Sequence, residues 1–239
     1  IKIWGWADPF ETATVKLSWI EKPFEIKGDG NAEWSILVDT PAADGKKHEI
    51  SVNGPQDSYT IRNIVFGEVW ICAGQSNMEW AAHHGSKDAL EELPRANQPN
   101  IRLFKMHKAG SATPQENVIG KWQVCDSTSL RRFSAIGYFF GKQLNAKLGV
   151  PIGLIDMAWG GSQIESWIPE ELVHLYPLTR KSVELVGPAP IRPHEAGRIY
   201  NGMVYPIKDY KMAGVLWYQG ESNAHYPEAY LQLQEQLIT

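Results

Sequence analysis

The stretch Gly74-Gln75-Ser76-Asn77-Met78 places a hydroxyl where an apolar run, Glu68 to Ala73, passes into a helical pattern. A serine at the carboxyl end of a parallel strand stands clear of the sheet, and the first N–H groups of the following helix lack intrahelical partners and can meet an oxyanion. The chemistry this suits is nucleophilic attack on a carbonyl carbon. A serine here can equally serve as a helix cap. Two later turns are polar and glycine-bearing in the same way. In Ala158-Trp159-Gly160-Gly161-Ser162-Gln163-Ile164-Glu165-Ser166-Trp167 the paired glycines let a backbone N–H approach a ligand with no Cβ in the way. Trp217-Tyr218-Gln219-Gly220-Glu221-Ser222-Asn223 supplies an amide donor and a carboxylate from one turn.

The elements that must position these turns follow from the apolar patterns. Glu68 to Ala73, Pro151 to Ala158 and Ala213 to Tyr218 read as strands, each ending in one of the three turns. Helical patterns alternate with them, which indicates an α/β domain with a parallel sheet covered on both sides and its site at the carboxyl ends of the strands. Ser134 to Leu148 is the clearest helix, with Ile136, Phe139, Phe140, Leu144 and Leu148 on one face, Ser134 as its cap, and Gly149 and Pro151 closing it. Glu170 to Pro193, with four prolines from Pro177 onward, is expected to be an irregular excursion over the rim. Ahead of all this, residues 1–65 show short alternating runs at Thr14 to Trp19, Glu33 to Val38 and Glu49 to Val52, with turn clusters at 27–31 and 43–46. That pattern predicts antiparallel strands packed as a small β-sandwich of jelly-roll or Ig-like type, with the boundary near Ile64 to Gly67 and residues 66–239 as the second domain.

The bulk numbers narrow the function classes. The chain has 239 residues, 43% of them hydrophobic, enough for one large domain or a large and a small one. A net charge of −4, without runs of Lys or Arg among aromatics, argues against nucleic acid as a partner. No apolar stretch approaches the length of a membrane span, so no membrane partner is expected. The sequence starts at Ile1 without an initiator Met, which suggests processing and leaves any signal peptide already removed. Cys72 and Cys125, the only cysteines, exclude a disulfide scaffold and a Cys-rich zinc site, and Cys72 reads as a small buried hydrophobe. The seven histidines match no zinc spacing, so neither metal nor cofactor is expected. His83 and His84, about two helical turns past Ser76, suit a surface or supporting role, and His225 lies near the expected rim. Ten tryptophans offer flat apolar faces suited to sugar rings as well as cores.

The blocks GQSNM, GGSQIESW and WYQGESN, with Arg198 to Met203 before the last, resemble the sialate O-acetylesterase family of SGNH-type carbohydrate esterases. The resemblance implies a three-layer α/β/α domain preceded by a β-sandwich. It implies Ser76 as the nucleophile that takes an acetyl group from a sugar hydroxyl. The oxyanion hole would be formed by the N–H of Ser76, that of Gly161 or of its neighbour Gly160, and the side-chain amide of Asn223. Gln75, Gln219 and Glu221 would orient the site or contact substrate. Glu165 and Trp167 would belong to the pocket wall, though a polar residue on an exposed loop describes Glu165 as well.

The family also carries its base in an Asp-x-x-His block after the third motif, and here no aspartate has a histidine three positions on, with the sequence stopping sixteen residues past Asn223. The expectation is therefore a hydrolase domain lacking its C-terminal part, inactive by itself and completed by a further segment or a second polypeptide. The substrate implied is an O-acetylated sialic acid, with acetylated xylan or another plant polysaccharide as the alternative. A noncatalytic glycan-binding protein on the same scaffold is the alternative of another class. Acetylated glycans point to a secreted, periplasmic or lysosomal setting.

Overall fold

A computed structural model of the chain describes residues 1–186 and 193–238. They fall into two compact units, Ile1–Glu68 and Val69–Thr239. In the first, β1 (Lys2–Trp6) pairs antiparallel with β4 (Glu33–Leu37), and a second antiparallel sheet orders β3 (Ile20–Lys27), β2 (Thr12–Leu17), β5 (His48–Asn53) and β6 (Ser58–Ile64). Alternate residues of a strand point to opposite faces, and those turned inward from both sheets close one apolar cluster: Val15, Leu17 and Ile26 meet Trp34, Ile36 and Ile3. Three of these strands, β1, β3 and β6, lack a clear sequence pattern, since Pro23 and four charges interrupt β3 and half of β6 is polar.

The second unit holds a five-stranded sheet in the order β11-β7-β10-β8-β9, formed by β7 (Glu68–Gly74), β8 (Gln98–Lys105), β9 (Trp122–Cys125), β10 (Ile152–Asp156) and β11 (Gly214–Tyr218). β11 runs parallel to β7 and β10 parallel to β8. Met157 and Trp159 donate to the carbonyls of Cys72 and Gly74, two steps in one direction on both chains, so β7 and β10 are parallel too. Only β9 runs antiparallel, to β8. The class is mixed α/β, and the carboxyl ends of four parallel strands lie along one edge. β11 is outermost, with Val215 and Tyr218 exposed.

The helices of this unit are α1 (Ser76–Glu79), α2 (Lys87–Glu92), α3 (Ser127–Leu130), α4 (Ala135–Leu148), α5 (Glu170–Val173), α6 (Pro177–Leu185) and α7 (Tyr230–Ile238). None is long and apolar enough to cross a membrane. One sheet face, carrying Cys72, Leu103, Ile152 and Leu154, packs on Tyr138, Phe139 and Leu144 of α4. The opposite face, with Ile71, Ala73 and Ile155, packs on Trp167, Ile199, Met203 and Ile207, the last three from a segment that includes a π-helical turn at Tyr200–Val204. Ser134 caps α4 by accepting from the Gly137 N–H at 3.0 Å, and Gly149 closes it in the left-handed region at φ 70°.

Two expectations are corrected here. Of the face expected on α4, Phe139, Phe140 and Leu144 do pack against the core, whereas Ile136 and Leu148 are exposed and the buried positions are Ala135, Gly137, Tyr138 and Gly141. Glycines set that face because they let the helix lie close: a Cβ on Gly137 would stand 2.6 Å from Cys72 Sγ, and one on Gly141 2.6 Å from Leu154 Cδ1. The excursion from Glu170 is not irregular over its first part but holds α5 and α6, the latter opened by Pro177 at its first position, where proline's missing N–H costs nothing. Residues 187–192 of that stretch lie outside the described residues.

Candidate active site

The three polar turns meet at the carboxyl edge of the sheet. Gly74, at φ 135°, lies so near the end of β11 that a Cβ on it would stand 2.1 Å from the Tyr218 carbonyl oxygen, and the Gln75 N–H donates to that same oxygen at 3.0 Å. Only glycine permits this approach. From there side chains tie the first turn to the third. Gln75 is buried, and its Oε1 accepts from the N–H groups of Ser222 at 3.0 Å and Gly220 at 3.4 Å, while Asn77 donates to the Glu221 carboxylate. The second turn joins through Gln219 Nε2, which donates to the Ser162 carbonyl at 3.1 Å, and through Gln163 Nε2, which donates to that of Ser222 at 3.3 Å.

Ser76 is the first residue of the single-turn α1, and its side chain is exposed. The cap position belongs to Gln75, so the serine is not spent as a cap. Among the described residues, the hydroxyl of Ser76 and the N–H groups of Ser76 and Gly161 have no hydrogen-bond partner. Gly160 stands against the serine: a Cβ on it would be 3.6 Å from Ser76 Cβ. Its N–H, however, donates to Glu79 Oε2 at 2.7 Å and is already engaged, whereas the Gly161 N–H is not.

Asn223 is 3% exposed and its amide is fixed from three sides. Oδ1 accepts from the Ile164 N–H at 3.1 Å and from Gln219 Nε2 at 2.7 Å, and Nδ2 donates to Glu165 Oε2 at 2.8 Å. Glu165 is 0% exposed, so it is not an exposed loop residue and it shows no surface to a substrate. Trp167 is likewise corrected from pocket wall to core. It is 2% exposed, stacks edge-on with Trp217 at 5.4 Å, and donates from Nε1 to Ser162 Oγ. Gln75 and Gln219 are occupied in knitting the loops, which leaves Glu221 as the exposed member of the expected substrate set.

Several residues of the site carried no separate sequence signal. Tyr230 donates to the carbonyl of Gln219 at 2.7 Å and holds the third turn from α7. Glu79, one helical turn past Ser76, pairs with Lys108. Burial would raise its pKa, but the hydrogen bond and charge of Lys108, the Gly160 N–H and Lys105 outweigh that and hold the carboxyl below its ordinary value. Asp156, fully buried at the end of β10, accepts from Lys105 Nζ at 2.6 Å and from the N–H of Ser134 at 3.0 Å, and burial, only partly offset by Lys105, pushes its pKa up. The spacing three residues past Ser76 could have flagged Glu79, whereas the lysines come from the end of β8 and the stretch after it, which no motif marks.

Beside Glu79 a groove of about 620 Å³ is lined by His83, Lys105, His107, Lys108, Lys121 and Arg132. His83 is not two helical turns along a helix from Ser76, because α1 ends after one turn and His83 sits in a separate 3-10 turn, Ala82–His84. Burial first, and then the positive neighbours His84, Arg132 and Lys105, hold its imidazole pKa below the ordinary value. His225 is exposed at the third turn.

The crystal structure of a carbohydrate acetylesterase from Xanthomonas citri is similar, with a TM-score of 0.85 at 30% identity over 99% of this chain and 51% of that one. Fold and sheet edge together are those of an esterase-type α/β domain. The profile of the family described as "carbohydrate esterase, sialic acid-specific acetylesterase" matches residues 66–239, and the chain belongs to that family. Sialate O-acetylesterases of Pongo abelii and Homo sapiens are 28% and 27% identical to it over 94% of its length. That alignment takes in 46% of each relative, so the chain spans about half the length of the curated relatives it matches.

Proposed function

We propose that this chain carries the acyl-transfer centre of an esterase that removes O-acetyl groups from sialic acids. Ser76 Oγ attacks the acetyl carbonyl, and the oxygen that becomes negative is met by the N–H groups of Ser76 and Gly161 and by Asn223 Nδ2. The sugar hydroxyl leaves with a proton, and water then releases acetate from the acetyl-serine. The observation that carries this reading is the convergence of three distant turns, with an unengaged hydroxyl at position 76 against Gly160 and a locked amide at position 223 held by the same second turn. The relatives named as sialate O-acetylesterases support it.

A base for Ser76 is assigned to a segment outside residues 1–239, in the same polypeptide or a second one, since no histidine hydrogen-bonds the serine among the described residues and the sequence holds no Asp-x-x-His. Without that segment the SGNH-type three-layer domain is incomplete and the chain is expected to be inactive. The groove beside Glu79 favours a carboxylated sugar over neutral acetylated xylan, because Lys121 and Arg132 line it in addition to the ion-paired Lys105 and Lys108. A glycan substrate of this kind sets the working compartment as secreted, periplasmic or lysosomal. The test is acetate release from O-acetylated sialic acid and from acetylated xylan by the full-length protein and by its Ser76→Ala variant. Loss of release from the sialic acid substrate is expected, and activity that survives the substitution would overturn the nucleophile.

A further inference from the structure

We propose that Glu165 is a positioning residue that aims the Asn223 amide at the developing oxyanion. The inference rests on the acyl-transfer reading of the site and adds to it the group that orients its side-chain donor. A primary amide has two acceptor sites on oxygen and two N–H donors. Here both sites on Oδ1 are filled, by the Ile164 N–H and by Gln219 Nε2, and one Nδ2–H is taken by Glu165 Oε2 at 2.8 Å. The second Nδ2–H has no partner among the described residues. Three of the amide's four positions are therefore fixed, and the plane of the group and the direction of the remaining donor are fixed with them. Filling Oδ1 with two donors also excludes the flipped amide, which would turn its carbonyl toward the oxyanion.

The carboxylate that completes this arrangement is costly to keep. Glu165 is 0% exposed, and its Oε1 is buried without a hydrogen-bond partner among the described residues. A buried carboxylate oxygen left unmatched works against folding, and a hydrophobic side chain of similar volume would fill the space at less expense. Stability by itself does not call for a carboxylate here. Orienting a donor does call for an acceptor at this place, which Glu165 Oε2 supplies, because an oxyanion hole works only when its donors are already in place.

The experiment is a double-mutant cycle on acetate release by the full-length protein. Glu165→Leu is expected to lower kcat about 10- to 100-fold with KM little changed, since a small displacement of an aligned group has that effect in the transition state. Glu165→Gln, which keeps an acceptor oxygen, is expected to recover most of the rate. In the Asn223→Ala background Glu165→Leu should have no further effect, because its influence passes through the amide. Full additivity of the two substitutions would show that Glu165 acts elsewhere and overturn the proposal while leaving the oxyanion assignment intact. An undiminished kcat in Asn223→Ala would instead remove the amide from the oxyanion hole, and the proposal with it. Should Glu165→Leu fail to fold, the side-chain amide resonances of Asn223 in the 239-residue chain give a readout free of turnover. In Glu165→Gln one of the two Nδ2 protons is expected to shift upfield and exchange faster, and resonances unchanged from the parent chain would refute the contact.

Discussion

At Glu79 burial pulls one way and Lys108 the other. The balance falls to the ionised form, so the folded pKa lies below the 4.5 of a free glutamate. A carboxyl depressed in this way contributes stability above its unfolded pKa and loses that contribution as pH falls through the folded value. Lys108→Met should therefore raise the Glu79 pKa and move the acid limb of unfolding to higher pH, read by denaturant titration across roughly pH 3 to 7. An acid limb identical to that of the parent protein would show that the pair is screened by solvent. Glu79 also holds the Gly160 N–H, so the same substitution disturbs the backbone beside Ser76. At this scale the sequence was informative where polar residues and glycines form contiguous blocks: the turns that hold Ser76, Gly161 and Asn223 stood out, and they meet at one edge of the sheet. It was silent on which side chains are buried. Trp167 and Glu165 share a turn with Gly161 yet point inward, because the 3-10 turn Ile164–Trp167 packs all four of its residues against the core.

Among the elements, α4 shows how close packing is written in small residues. The 2.6 Å from a Cβ at position 137 to Cys72 Sγ, and the same distance from position 141 to Leu154, leave no room for a methyl group. Alanine is favoured over glycine in a helix by about 1 kcal/mol, while overpacking a tight core costs about 1 to 3 kcal/mol. Gly137→Ala and Gly141→Ala are each expected to destabilise the second unit on balance, measured by urea unfolding, and a net gain in stability at either site would mean that α4 lifts freely from the sheet. Apolar periodicity found Phe139, Phe140 and Leu144 on the packed side but missed Gly137 and Gly141, because it counts large residues and the closest approaches belong to glycines. Strands that end in the three motifs were legible since they are apolar and stop at polar glycine turns. β8 was not, because Pro99, Asn100 and Arg102 break its pattern, and neither was β9, whose four residues are largely exposed. Prolines in the excursion from Glu170 point by composition to irregular chain, yet one of them starts α6.

For the molecule as a whole, the division at Glu68 and Val69 means that each unit closes its own apolar cluster. Leu17→Ala removes a buried side chain from the first cluster, at a typical cost of about 2 to 5 kcal/mol. Hydrogen exchange is expected to quicken across β1–β6 while β7 and β10 keep their protection, and equal loss in both units would show that they unfold as one. The change of period after Gly67 made two kinds of architecture readable from the sequence, since alternation every second residue gives way to strands separated by helical patterns. The order of the strands was not readable, because it depends on pairings across long stretches of chain. That order carries one more consequence. β11 sits at the rim with Val215 and Tyr218 uncovered, and among the described strands it pairs with β7 alone. An unshielded rim of this sort is a template for a visiting strand, so concentrated solutions of these 239 residues will drift toward intermolecular ribbons, and the oligomer size seen in a preparation will follow how that rim is covered.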